Sequence, residues 1–214
     1  MNIHHSEEEQ IESLKKWWRE NGLSVLFGIV VGLAGLFGWH LWQEYKARHA
    51  TEASTLYSDL MSKLSGADAA AIDKAATSLR TEYDDTVYAA LGALAMAKAA
   101  VDRNDTDGAI EQLQWAIDHT PQTEIAITAK LRLSRLYLTQ GKFDRVEALL
   151  NESYPKAYAA AVDELKGDLL VAKGDPKTAR QAYERALTAE IAPYSREVIQ
   201  HKLDQLAPSE STDA

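Results

Sequence analysis

The sequence predicts an all-α protein with one transmembrane helix near its N-terminus, followed by a solenoid of repeated helix pairs. Three observations predict this fold. Residues 23–42 contain no Asp, Glu, Lys or Arg, the rest of the chain places apolar residues at helical spacing without strand-type alternation, and similar segments recur along it. We expect a short cytoplasmic segment (1–22), the transmembrane helix (23–42), the repeat domain (43–207) and a polar tail (208–214).

The apolar segment has the length and flanks of a permanent membrane anchor. Twenty helical residues span roughly 30 Å, the thickness of the hydrocarbon core of a bilayer. A cleavable signal would have a shorter apolar stretch, of about 7–15 residues, followed by small residues, whereas this one ends in bulky side chains. Tryptophan favours the interface between lipid and water, and the predicted interfacial anchors are Trp17, Trp18, Trp39 and Trp42.

Three glycines of this segment share one face of the predicted helix. Gly28, Gly32 and Gly35 follow the spacing i, i+4, i+7, and glycines let a second helix approach closely. They predict a helix-packing face in the membrane. Glycine is also common in transmembrane helices generally, and the sequence leaves both interpretations open.

Charge gives the orientation and excludes one class of partner. Lys15, Lys16 and Arg19 precede the span and Lys46 and Arg48 follow it, which favours a cytoplasmic N-terminus. The whole chain has 32 acidic against 23 basic residues and a net charge of −9. A nucleic-acid partner, which needs a basic surface, is therefore not expected.

The soluble part matches the tetratricopeptide pattern, in which a pair of helices recurs about every 34 residues. Three degenerate copies place small residues where the two helices of a pair must touch, with Lys166 and Val146 departing from the pattern. The small positions of the second helices are 37 and 33 residues apart. The first-helix and second-helix positions are Ala97 and Ala109, Ser134 and Val146, and Gly167 and Ala179.

Further helices are expected on either side of these copies. Residues 50–64 and 69–83 resemble a divergent pair with Asp68 as an N-cap, and residues 194–206 resemble a terminal cap. Thr120-Pro121 and Asp175-Pro176 have the order of an N-cap followed by proline, which predicts two helix starts. A helical bundle without repeats is the alternative.

No pattern of catalytic or cofactor-binding residues is present. The chain lacks cysteine, its histidines are scattered, and the motifs HExxH, GxxxxGK[ST], GxSxG and GxGxxG do not occur. We therefore expect no enzyme activity, no cofactor and no metal site.

A protein-binding groove is the functional site that the repeats predict. Solenoids of this kind present the first helix of each pair along one face. An apolar or amphipathic segment fits the mixed side chains there better than an acidic C-terminal peptide, although the superhelix itself could bury the leucines. The candidate groove residues are Leu94, Lys98 and Val101, then Leu131, Arg135 and Leu138, then Glu164, Asp168 and Val171.

The chain resembles the YfgM-type ancillary subunits of the SecYEG translocon. The resemblance rests on LKKWWRENG before the span, GWHLWQEY at its end and LKGDLLVAKGDPKTARQAYERAL at 165–187. It implies a single-pass protein of the bacterial inner membrane, with a cytoplasmic N-terminus and a periplasmic repeat domain. It also implies association with the SecYEG channel and with a PpiD-type periplasmic chaperone, close to unfolded secretory proteins.

These observations predict a non-enzymatic interaction module that assists periplasmic chaperones with newly exported proteins. The alternative is a regulatory scaffold that sequesters a signalling or envelope-assembly protein, for which the same groove would serve. A third possibility is the opposite topology, a receptor that faces the cytosol.

Overall fold

The N-terminal helix is long in the structure, a computed structural model that describes residues 4–64, 66, 69–189 and 193–206. This helix, α1, runs from His4 to Leu64. By length and composition it could cross a membrane, and none of its apolar window is buried. The core helix of a soluble protein would be largely buried, so that interpretation does not fit.

Residues 23–42 and the predicted helix 50–64 both belong to one continuous helix, α1. The chain between them contains neither glycine nor proline, so nothing in its local chemistry ends the helix. The chain divides into two units, Met1–Thr51 and Glu52–Ala214, and the bounds of the membrane segment within α1 stay a prediction.

The second unit contains the last turns of α1 and further helices, and the described residues contain no strand. A short 3₁₀ helix, Lys156–Tyr158, precedes α7. The remaining helices are α2 (Ala69–Glu82), α3 (Val87–Asp102), α4 (Thr106–His119), α5 (Thr123–Thr139), α6 (Phe143–Leu150), α7 (Ala159–Ala172), α8 (Pro176–Thr188) and α9 (Pro193–Gln205).

These helices confirm the predicted pairs. The end of α1 precedes α2, three further pairs follow as α3 and α4, α5 and α6, and α7 and α8, and α9 is the terminal helix. The predicted N-cap Asp68 and the polar tail 208–214 lie outside the described residues.

The three complete repeats turn from their first to their second helix in the same way. Asn104, Gly141 and Gly174 have positive φ angles of 60°, 68° and 81°. In each turn the next residue's amide donates to a carbonyl five residues earlier, at 2.9 Å. This is the Schellman arrangement, which satisfies carbonyls at a helix end and favours glycine or asparagine at the left-handed position.

Two of the second helices begin at an aspartate. Asp105 accepts a hydrogen bond from the amide of Gly108 at 2.9 Å, and Asp175 accepts one from Thr178 at 3.0 Å. Hydrogen bonds from the side chain and then the backbone of Thr178 hold the pKa of Asp175 below its usual value. Asp175 followed by Pro176 is therefore a helix start, as predicted.

The other predicted start, Thr120-Pro121, was wrong by two residues. Helix α5 begins at Thr123 with Gln122 as its N-cap, and Thr120 ends α4. The Thr120 hydroxyl donates to the Gln122 side chain at 3.0 Å. The Thr120 hydroxyl thus forms its hydrogen bond within the loop between α4 and α5 and does not cap the first turn of α5.

The hydrophobic core is divided along the stack into clusters that share helices. Leu133 of α5 packs with residues of α3 and α4, while Leu131 of the same helix packs with α6 and α7. Each helix pair is thus covered by the next one, as expected for a solenoid. Trp115 of α4 packs against both the first and the second cluster.

The small residues predicted at helix contacts are buried there. Ala97, Ser134, Ala109, Val146 and Ala179 are all buried. At Gly167 an added Cβ would lie only 2.3 Å from Cε1 of Tyr183, so α7 and α8 touch at this glycine. The expected packing role of these positions is confirmed.

Candidate protein-binding groove

A cavity of about 240 Å³ opens between the first helices of two neighbouring pairs. Helix α3 contributes one wall and α5 the other, and buried Leu113 of α4 lies between them. We call this cavity the α3–α5 groove. Its lining residues are Ala97, Lys98, Val101, Leu113, Arg132, Arg135 and Leu136.

The groove combines an apolar surface with a basic rim. Its three charged lining residues are all cationic, namely Lys98, Arg132 and Arg135. Lys98 forms an ion pair with Asp102, one turn along α3. Arg135 lies 3.8 Å from the carboxylate of Glu164. Within the described part of the chain, Arg132 forms no ion pair, so the groove is a locally basic site in an acidic protein.

Further along the stack, a lysine of α9 forms ion pairs with two acidic residues of α7, which is the first helix of the third repeat. The Lys202 ammonium lies 2.6 Å from Glu164 and 2.8 Å from the nearer oxygen of Asp168. The Tyr183 hydroxyl donates to Asp168 at 2.7 Å. The terminal helix therefore binds the carboxylates of Glu164 and Asp168, which the sequence predicted as partner-binding residues.

The pKa values of this cluster follow from its contacts. Burial alone would lower the pKa of Lys202, but its hydrogen bonds to Asp168 and Glu164, with the attraction of both charges, hold it above its usual value. Burial, together with the hydrogen bond to Asp168, raises the pKa of Tyr183. The cluster thus favours a protonated lysine and a neutral tyrosine.

The structure brings together three of the nine predicted groove residues in the α3–α5 groove, namely Lys98, Val101 and Arg135. Val101 is 45% exposed and available for contact. Leu94 and Leu131 are 7% and 6% exposed and belong to the core.

The remaining predicted groove residues do not line the α3–α5 groove. Leu138 packs against the third hydrophobic cluster. Glu164 and Asp168 bind Lys202, and Val171 is 41% exposed.

Sequence reasoning missed Arg132 and Leu136 as lining residues. They lie four residues apart on α5, on the face that meets the preceding pair. The i, i+4 spacing, which places both residues on one helix face, is the signal in the sequence that could have identified them. Lys202 and Asp168 are 34 positions apart in the chain. No local sequence pattern predicts their contact.

The predicted membrane residues all lie on the exposed surface of α1. Trp17, Trp18, Trp39 and Trp42 are exposed. A Cβ added at Gly28, Gly32 or Gly35 would meet no atom of the described chain within 4 Å. Packing within the described part of the chain therefore does not account for these glycines.

Among the described residues there is no cluster of three or more His, Asp or Glu side chains placed to hold a metal ion. The neighbouring carboxylates of Glu164 and Asp168 form ion pairs with Lys202.

Comparison with known proteins identifies the family. The model of the tetratricopeptide repeat-like domain matches residues 15–208, most of the chain. The chain belongs to this family. No solved structure gives a significant match.

Three relatives of the chain carry the same description, ancillary SecYEG translocon subunit. The protein from Escherichia coli is 30% identical over 207 residues, which cover 97% of this chain and 100% of the relative. The one from Haemophilus influenzae is 30% identical over 84% of this chain and 88% of the relative. The one from Neisseria gonorrhoeae is 26% identical over 96% of this chain and 100% of the relative.

Proposed function

We propose that this protein is a non-enzymatic, membrane-anchored interaction module that associates with the SecYEG translocon in the bacterial inner membrane. The single observation that carries the proposal is full-length similarity to relatives named as ancillary subunits of that translocon. The fold supports it, because stacked helix pairs provide an extended surface for binding proteins.

The α3–α5 groove is the proposed contact site for partners in the repeat domain. It lies between two first helices of the stack, and exposed Val101 lines it. A membrane tether raises the local concentration of this groove near the channel, so that modest affinity suffices. We propose that its partners include a PpiD-type periplasmic chaperone and unfolded secretory proteins, and that the module assists chaperone transfer.

The proposed topology has residues 1–22 in the cytoplasm, residues 23–42 in the bilayer and the repeat domain in the periplasm. The excess of Lys15, Lys16 and Arg19 before the span supports it. An alkaline phosphatase fused to the C-terminus should be active in cells, since that enzyme requires the periplasm. An inactive fusion, present at the same level, would contradict this orientation.

The membrane segment is proposed to supply part of the contact with the channel. Gly28, Gly32 and Gly35 would allow a helix of the channel to pack closely against α1. The exposed tryptophans at both ends would fix the depth of the helix in the bilayer.

Purification from membranes tests the proposal directly. The tagged full-length chain, extracted in a mild detergent, should recover the channel subunits, and an equally abundant single-pass protein with the same tag should not. Gly32→Leu should lower the recovery, because the larger side chain holds the neighbouring helix away. Recovery of no more channel than the control would refute the association.

A further inference from the structure

We infer that the α3–α5 groove binds an acidic amphipathic segment of a partner protein, with an apolar side chain inserted between the helices and carboxylates bound by Arg132 and Arg135. The inference rests on the proposed function in one respect, that the groove serves to bind proteins. It adds the chemistry of the partner, which the resemblance to known proteins does not provide.

The size of the groove favours side chains of a protein over a small molecule. Its volume is about 240 Å³, below the roughly 300–1,000 Å³ typical of sites for metabolites and drugs. Its apolar surface comes from Ala97, Val101, Leu113 and Leu136, which lie on three different helices. Such a surface accommodates one large apolar side chain of a segment that crosses the groove.

The arginines of the rim lack full neutralisation within the described chain. Glu164 is closer to Lys202, at 2.6 Å, than to Arg135, at 3.8 Å. Since Lys202 already engages this carboxylate with a short hydrogen bond, Arg135 remains open to a second anion. Arg132 forms no ion pair with any described residue and is exposed.

The spacing of these two arginines suits carboxylates on one segment. Arg132 and Arg135 are three residues apart on α5, so their Cβ atoms are about 5–6 Å apart. A guanidinium binds a carboxylate through two parallel hydrogen bonds. Lys98 on the opposite wall adds a third positive charge but is shared with Asp102. The groove therefore selects for negative charge around an apolar anchor.

The charge of the protein as a whole restricts where an acidic segment can bind. With a net charge of −9, the chain repels acidic segments from most of its surface, so that binding is confined to the locally basic groove. Three basic residues are too few for a nucleic acid, whose binding needs an extended basic surface.

Peptide binding tests the inference. The probe is a fluorescein-labelled helical peptide of 16 residues with leucines at i, i+3, i+4 and i+7 and glutamates at the flanking positions. The matched peptide has lysines in place of the glutamates. The full-length chain is held in nanodiscs of zwitterionic lipid, and binding is read from fluorescence anisotropy, with empty nanodiscs as the blank.

We expect the glutamate peptide to bind at least tenfold more tightly than the lysine peptide, and added salt to weaken its binding. Arg132→Glu should weaken it by about tenfold or more, and Arg132→Ala by less. Arg145→Glu, on the exposed surface of α6, changes the net charge equally and should leave binding unchanged. Circular dichroism checks that each variant is folded.

Equal binding of the two peptides, or equal losses in Arg132→Glu and Arg145→Glu, would overturn the inference. In that case, recovery of the channel in membrane purification would still support the proposed function. Conversely, selective peptide binding without recovery of the channel would leave the groove chemistry standing and refute the association.

Discussion

Substitution of Gly167 by alanine should destabilise the repeat domain, even though alanine favours helices. An added Cβ would lie 2.3 Å from Cε1, 2.6 Å from Cδ1 and 2.8 Å from Cζ of Tyr183. The ring cannot easily move away, because Tyr183 is 2% exposed and its hydroxyl donates to Asp168. The collision must therefore be relieved by separating α7 from α8.

Two opposing terms decide the size of the effect. Replacing glycine with alanine inside a helix stabilises it by about 1 kcal/mol. Overpacking costs about 1–3 kcal/mol, and displacement of Tyr183 from a charged hydrogen-bond partner costs about 1.5–3 kcal/mol more when that bond is lost. We expect a net loss of about 2 kcal/mol, which lowers the unfolding midpoint by about 4–8 °C in a domain of this size.

The assay is thermal unfolding of the full-length chain in detergent, followed by circular dichroism at 222 nm. Gly92→Ala is the matched control, because its Cβ would lie 3.0 Å from Cδ1 of Leu79 and 3.4 Å from Cδ2 of Leu60, which are contacts with terminal methyl groups and much longer than those at Gly167. Its midpoint should change by less than half as much. Gly167→Ala should also cost less when combined with Tyr183→Leu, since the smaller side chain makes room. A Gly167→Ala midpoint equal to or above the wild-type value would refute the packing argument.

Lys202→Met should reduce the free energy of local unfolding of α9 by about 1–3 kcal/mol, since it leaves Asp168 with an uncompensated charge. Hydrogen exchange across α9 should become faster, and unchanged exchange would contradict this. The unfolding midpoint should fall as the pH rises above about 10, because burial raises the pKa of Tyr154 to about 12 and also raises that of Tyr183, so the folded chain keeps protons that the unfolded chain releases. A midpoint independent of pH from 9 to 11.5 would exclude that linkage. Gly174→Ala should destabilise by about 1–2 kcal/mol, because φ is +81°, and a midpoint equal to the wild-type value in thermal unfolding would show that the turn tolerates a Cβ.

The helix pairs could be predicted because their signals are local. The second-helix contact positions recur at Ala109, Val146 and Ala179, and the left-handed turn residues Gly141 and Gly174 recur with them. Periodic apolar residues and turn chemistry lie within a few positions of each other, so a single repeat contains most of the information for its own fold. The continuity of α1 also has a local signal, because no glycine or proline lies between its apolar segment and its last turns.

The groove could be predicted only in part because it depends on contacts between repeats. Counting from the motif found Lys98, Val101 and Arg135, which line the groove, but also Leu94 and Leu131, which are buried. Whether a first-helix residue faces the groove or the core depends on the rotation of neighbouring pairs, which no single repeat contains.

The role of α9 depends on still more distant residues. The Lys202 ammonium lies 2.6 Å from a carboxylate 38 residues earlier in the chain. The packing position of a terminal helix with a polar sequence depends on the arrangement of the preceding repeats, so the sequence of that helix alone does not predict it.

Photocrosslinking from Val101 in living cells tests most directly the claim that the α3–α5 groove is the partner-binding face of a translocon-associated protein. A benzophenone side chain at this position should give adducts that contain channel subunits or a periplasmic chaperone. The same group at Asp144, an exposed residue of α6, should give few. Equal labelling at the two positions, or no adduct from Val101 while the channel is recovered with the protein, would contradict the account.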